Sequence, residues 1–218
     1  MLQAPQEAHN RLEAAYIYLL SGFIASLVIS QVLAAKIVLM RLPLAGDLIF
    51  PAGVVAYAAT FLFTDLIEEV WGVAKAQRAV LAGFIGTVTA LILIQLAMLL
   101  PTAPFWDNAE GWAKTVGATT RITLASLVAY LISQTHDVWL FQLLKRKTDG
   151  RHLWLRNNVS TMASQFIDTT LFVTVAFLGT APILSMIVGL TVVKWILAIF
   201  DTPFVYLGVR YLRRIELL

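Results

Sequence analysis

The chain has 218 residues, of which 59% are hydrophobic and 13% charged, with a formal net charge of +3. Soluble domains average about 45–50% apolar and about 25% charged residues, so this composition excludes an ordinary globular domain and leaves little chain beyond membrane-crossing segments. The absence of cysteine excludes disulfides, thiolate chemistry and cysteine-based zinc sites, and no soluble domain offers a basic face to nucleic acid.

In chain order, residues 1–14 read as a polar cytoplasmic lead-in and not as a signal peptide, since Glu7 and Glu13 lie in it and no basic segment is followed by a cleavage site. Six apolar runs follow, each long enough for a crossing of about 20 residues. They extend from about Ala15 to Met40, Leu48 to Val70, Ala79 to Leu100, Arg121 to Leu144, Val159 to Leu178, and Ile183 to Tyr211. Backbone groups in lipid must be satisfied within their own segment, so helix is the default for all six. The expected architecture is an all-α polytopic membrane protein: one six-helix domain over residues 15–211, then a short cytoplasmic tail over 212–218.

Charged residues interrupt every run except the third. The first holds Ser30, Gln31 and Lys36, the last within snorkelling reach of the outer surface. The second ends in Asp65, Glu68 and Glu69. Asp65 and Glu69 are four apart and share a helix face with Tyr57 and Phe61. The glutamates read as inner-headgroup residues opposite Lys75 and Arg78, and Asp65 lies deeper. The sixth carries Lys194 and Asp201, seven apart and on one face, followed by Pro203, whose ring frees a carbonyl and kinks a helix beside a cavity.

The fourth and fifth runs share a nine-residue pattern, S-Q-x-x-D-x-x-L-F, beginning at Ser133 and at Ser164. Positions i, i+3 and i+7 lie on one helix face, which aligns Gln134, Asp137 and Phe141 in one copy and Gln165, Asp168 and Phe172 in the other. Tyr130 extends the first set. An ionisable group deep in a membrane helix costs about 2.5–3.5 kcal/mol on insertion scales, so it faces a cavity or a partner. Two such groups with matching flanks point either to one polar pocket or to hydrogen-bonding seams between helices. On consecutive antiparallel helices the copies are expected to form a local pseudo-two-fold hairpin. His136 precedes Asp137 and points about 100° away from it on a helix, toward solvent or the lipid edge. Four intramembrane aspartates (Asp65, Asp137, Asp168 and Asp201) face two lysines, Lys36 and Lys194. Two salt bridges would leave two carboxylates for a donor-rich ligand or a proton.

Eleven of the sixteen basic residues, among them Lys75, Arg78, Lys145, Arg146 and Arg213, fall on one side of these runs, against Arg41, Lys114 and Arg121 on the other. The positive-inside rule then places both termini in the cytoplasm of a multi-pass cell-membrane protein. Trp71, Trp106, Trp112 and Trp154 flank the runs as an interfacial belt. No P-loop, H-E-x-x-H, G-x-S-x-G or T-V-G-Y-G motif occurs, which lowers the ATPase, hydrolase and channel readings. No metal or cofactor is expected.

The run Phe61-Leu62-Phe63-Thr64-Asp65-Leu66 with Trp71-Gly72, Lys75 and Arg78 resembles the second-span signature of the queuosine precursor transporters, formerly a vitamin uptake transporter family. Gln134, Asp137, Val138 and Phe141 resemble the fourth span of that family, Asp168, Thr169 and Phe172 its fifth, and Lys194 with Pro203 and Tyr206 its sixth. The resemblance runs from about Ser30 to Tyr211. Glu69 departs from it, since some members carry a basic residue near that position. The resemblance implies import of 7-deazaguanines (7-cyano-7-deazaguanine, 7-aminomethyl-7-deazaguanine or queuine) for the queuosine of transfer RNA, by a protein that is not an enzyme and touches no nucleic acid itself. The pyrimidine edge of these compounds presents two adjacent N–H donors and a carbonyl, which a carboxylate and an amide can meet. Substrate contacts are then expected from Gln134, Asp137, Phe141, Gln165, Asp168, Phe172, Asp65 and Tyr130, and coupling or salt-bridge roles from Lys36, Lys194, Asp201 and Glu69. Two other readings stay open: a substrate-binding subunit that needs a separate ATP-driven module, and a membrane enzyme using paired aspartates. A homo-oligomer is compatible with either arrangement.

Overall fold

The computed structural model describes residues 3–42, 46–148 and 153–217. Six helices form: α1 (Gln3–Leu33), α2 (Val54–Trp71), α3 (Val73–Met98), α4 (Ala109–Lys147), α5 (Leu153–Phe177) and α6 (Ile183–Leu217). Their apolar residues cover the outside as well as the inside. On α3, Leu81, Ile85, Ile92, Leu93 and Leu96 are all exposed, a continuous apolar surface far beyond what a water-soluble monomer presents. Three stretches, Asn10–Leu33, Val73–Met98 and Ala109–Ser133, are long and apolar enough to cross a membrane. Shorter apolar stretches, Met162–Phe177 on α5 and Ile183–Leu197 on α6, lie among the described residues.

One expectation is corrected. The first two apolar runs do not stay helical up to their loop. Helix α1 ends at Leu33, and an antiparallel hairpin follows, β1 (Ile37–Leu42) and β2 (Gly46–Pro51), with Ile37 opposite Pro51 and Leu42 opposite Gly46. Non-helical backbone at membrane depth is tolerated where protein covers it. Here the two strands satisfy each other, the Ala52 N–H donates to the Lys36 carbonyl at 2.8 Å, and Leu48, Phe50 and Pro51 are buried. β2 lies so close to α6 that a Cβ on Gly189 would collide with the backbone of Ile49. A short apolar run carries no periodicity that separates strand from helix.

The hairpin caps an apolar core at one end of the bundle. Leu48 and Phe50 pack with Val54 of α2, Ile122 and Ala125 of α4, Val173 and Phe177 of α5, and Met186 and Leu190 of α6. Close by, Arg121 of α4 donates from Nε to the Val175 carbonyl at 2.8 Å and from Nη2 to the Leu178 carbonyl at 2.9 Å. It thereby closes off the last turn of α5, where a cation is favoured by the helix dipole.

At the opposite end, α2 and α3 meet at Gly72, whose φ of +82° lies in the region that other residues avoid. Ile67, Ala76 and Ala79 are buried there against Tyr16, Leu19, Leu20 and Trp71. Lys75 pairs with Glu13 and lies 4.7 Å from the centre of the Tyr16 ring, and Arg213 pairs with Glu69 at 2.8 Å. These contacts bring the start of α1, the α2–α3 corner and the end of α6 to the same end of the bundle. Each pair is partly exposed and contributes about 1 kcal/mol at most.

Candidate functional site

Between the two apolar clusters lies a polar one. Val54, Val173 and Leu190 belong to the hairpin-end core, and one helical turn further along their helices stand Tyr57 on α2, Thr169 on α5 and Lys194 on α6. The Lys194 ammonium donates to Asp168 Oδ2 at 3.1 Å and to Thr169 Oγ1 at 3.1 Å. It also lies 5.6 Å from the centre of the Tyr57 ring. The Ser133 hydroxyl of α4 donates to the other carboxylate oxygen of Asp168 at 3.4 Å. Phe61 meets the Tyr57 ring edge-on at 5.1 Å. Four helices thus contribute to one cluster.

The Lys194 and Asp168 side chains are 13% and 18% exposed. A charge pair at that depth is held by its hydrogen bonds as much as by Coulomb attraction, since desolvation offsets much of the latter. Chemically the arrangement is a carboxylate, an ammonium paired with it, two hydroxyls and an aromatic face.

The doubled motif is brought together across α4 and α5. Ser133 of the first copy reaches Asp168 of the second, and Ser164 of the second lies 3.4 Å from His136 Nδ1, on the turn that carries Asp137. The serine of each copy therefore meets the aspartate-bearing turn of the other, through Asp168 in one case and His136 in the other. His136 accordingly faces α5, not solvent or lipid, because the helix crossing turns that side of α4 inward. Its ring stands 5.7 Å from Trp139.

The remaining candidates divide. Tyr130 is half-buried, and its carbonyl accepts from Ser133. Phe172 packs into the hairpin-end core, edge-on to Phe177 at 5.9 Å. Gln165 is exposed. Asp65 is exposed on α2, eight residues or about 12 Å of helix beyond Tyr57 toward the Gly72 corner. Glu69 forms the ion pair with Arg213. Lys36 is exposed in the turn before β1 and pairs with none of the described residues. The side chains of Gln134, Asp137, Phe141 and Asp201 lie outside the described residues. Sequence reasoning did not single out Ser133 as a partner of Asp168, or Thr169 and Tyr57 as neighbours of Lys194. The first position of the repeat pointed to Ser133, and the shared face of Tyr57 and Phe61 pointed to Tyr57.

Gln31, polar in an apolar run, is buried with its amide 3.5 Å from the Ser126 hydroxyl. With Thr87, Thr119 and Thr123 it lines a narrow cleft between α1, α3 and α4, a polar seam of the kind that joins membrane helices.

Residues 51–208, which include the whole cluster, match the family described as "Putative vitamin uptake transporter". The chain belongs to this family. It is a membrane protein of a transporter family, in keeping with its apolar exterior. Over 158 residues it is 34% identical to a Bacillus subtilis protein named "Probable queuosine precursor transporter", covering 71% of this chain and 69% of that one. Over 125 residues it is 30% identical to the Escherichia coli "Queuosine precursor transporter", covering 57% and 54%. No solved structure matches the fold.

Proposed function

We propose that this protein imports a queuosine precursor, a 7-deazaguanine, across the cell membrane through six crossings with both termini in the cytoplasm. The observation that carries the reading is the Asp168–Lys194 cluster, built by four helices and flanked by the Tyr57 ring. The two N–H donors on the pyrimidine edge of a deazaguanine suit a carboxylate. Its carbonyl suits a hydroxyl or amide, and its plane suits an aromatic face, a contact measured at about 1–3 kcal/mol per base elsewhere. The names of the two relatives support the same substrate class. Asp137, in the repeat-related position, is proposed as the second carboxylate of the pocket, with Gln134 and Gln165 as amides beside the two aspartates. The protein acts as a carrier and not as an enzyme, and it meets transfer RNA only through the fate of its substrate.

The test is ligand-dependent thermal stability of the detergent-purified protein against 7-cyano-7-deazaguanine, 7-aminomethyl-7-deazaguanine, queuine, guanine and several vitamins. At 100 times its dissociation constant a ligand adds about 2.7 kcal/mol of apparent stability. A shift confined to deazaguanines, and lost in Asp168→Asn and Asp137→Asn, is the expected result. A shift with a vitamin alone would overturn the substrate assignment.

A further inference from the structure

The Lys194 ammonium occupies the place that a substrate edge would need. It donates to Asp168 Oδ2 and Thr169 Oγ1, both at 3.1 Å, and stands 5.6 Å from the centre of the Tyr57 ring. These are the interactions by which a carboxylate and an aromatic face would recognise a flat ring with adjacent N–H groups: hydrogen-bond donation to the carboxylate, and contact with the ring. The other carboxylate oxygen already accepts from Ser133 at 3.4 Å. Each oxygen of Asp168 therefore has a polar neighbour, with the one Ser133 proton shared between Oδ1 and the nearer Tyr130 carbonyl at 3.1 Å. Two adjacent N–H groups of a ligand need both oxygens of the carboxylate side by side, and the ammonium on Oδ2 already takes one of them. Lys194 also links α6 to α5, so its release loosens one helix from the other.

From this placement we infer that Lys194 is an internal counter-ligand of Asp168: substrate binding and the Lys194–Asp168 ion pair exclude each other, and the substrate enters by displacing the ammonium. The inference rests on Asp168 being a substrate contact. Apparent affinity is then the intrinsic affinity reduced by the fraction of molecules in which the pair is open. The strength of the pair sets the Kd alongside the contacts made to the ligand. Occupancy of the site is converted into freedom between α5 and α6, which a carrier requires when it reorients. The opposing geometry has Lys194 donating directly to the ligand carbonyl. It predicts the same loss of transport on mutation but the opposite effect on binding.

Titration calorimetry of purified protein with 7-cyano-7-deazaguanine separates the two. Lys194→Met is expected to lower the Kd about tenfold, because no pair has to open, while uptake by cells falls at least tenfold. Lys194→Arg keeps the charge and makes a bidentate pair that opens less readily, so its Kd is expected to rise about tenfold. A second readout needs no variant. Reductive methylation of Lys194 in the wild-type protein, followed by mass spectrometry, is expected to increase when 7-cyano-7-deazaguanine is added. Weaker binding by Lys194→Met, or protection of Lys194 by the ligand, would overturn the counter-ligand and leave the substrate assignment intact. Wild-type protein that binds no deazaguanine would remove the substrate assignment and the counter-ligand with it.

Discussion

Asp168→Asn is expected to reduce uptake of 7-deazaguanine at least about 100-fold. The carboxylate is the strongest acceptor in the cluster, and hydrogen bonds to charged groups contribute about 1.5–3 kcal/mol each. Two such bonds to a ligand edge amount to about 3 kcal/mol or more, a factor of ~100 at 1.4 kcal/mol per decade. The substitution also leaves Lys194, 13% exposed, without its counter-charge. Removing one partner of a buried pair costs about 3–5 kcal/mol, so part of any loss would come from misfolding. The double variant Asp168→Asn, Lys194→Met separates the two effects. With both charges gone, thermal stability is expected to return to within about 1 kcal/mol of wild type, since neutral replacement of a buried pair is well tolerated. Uptake is expected to stay absent. Transport at the wild-type rate by either variant, measured in cells with labelled 7-cyano-7-deazaguanine, would remove Asp168 from the pocket.

Gly189→Ala has the largest expected effect on folding. The three atoms nearest to a Cβ at this position are the oxygen, nitrogen and carbonyl carbon of Ile49, all backbone of β2. A flexible side chain could yield, but a strand whose other side is buried in the core cannot. Overpacking typically costs about 1–3 kcal/mol and more when backbone must move. For a chain of this length that corresponds to a fall in Tm of about 2–12 °C. The matched control is Gly117→Ala on α4, where nothing lies within 4 Å of the added carbon. There the gain in helix propensity, about 0.5–1 kcal/mol, is expected to leave the protein as stable as wild type or slightly more so. Equal melting temperatures for the two variants would mean that β2 does not seat on α6 as described.

The hairpin marks where sequence reasoning stopped. Hydropathy finds apolar runs by composition, and residues 37–51 are as apolar as the helices around them. What makes the segment a hairpin is tertiary: a glycine on α6 admits its backbone, and the core receives Leu48 and Phe50. Six apolar runs and their order were legible because each is long, and a charge imbalance between loops is itself a sequence property. Neither the depth of Asp65 nor the pairing of Lys194 was. Both depend on how helices rotate against one another, and helix periodicity fixes a face without saying which neighbour it meets.

The candidate site was legible in proportion to its repetition. S-Q-x-x-D-x-x-L-F occurs twice, and the structure brings the serine of each copy to the aspartate turn of the other. Spacing placed Asp168 and Phe172 on one face, yet Asp168 turned out to pair with Lys194 while Phe172 joined the apolar core one turn away. A heptad-spaced face covers two turns of helix, and here a polar site and the core that seals it lie within those two turns. Tyr57 entered the site from a helix whose acidic residues, Asp65, Glu68 and Glu69, lie toward the Gly72 corner.

Transport by the purified protein alone, in liposomes, bears most directly on the central claim. Vesicles containing this chain and no other protein are expected to accumulate labelled 7-cyano-7-deazaguanine, and vesicles containing Asp168→Asn are not. Binding by the wild-type protein in detergent without any accumulation in vesicles would contradict a self-sufficient carrier, and would point to a subunit that depends on a separate ATP-driven module.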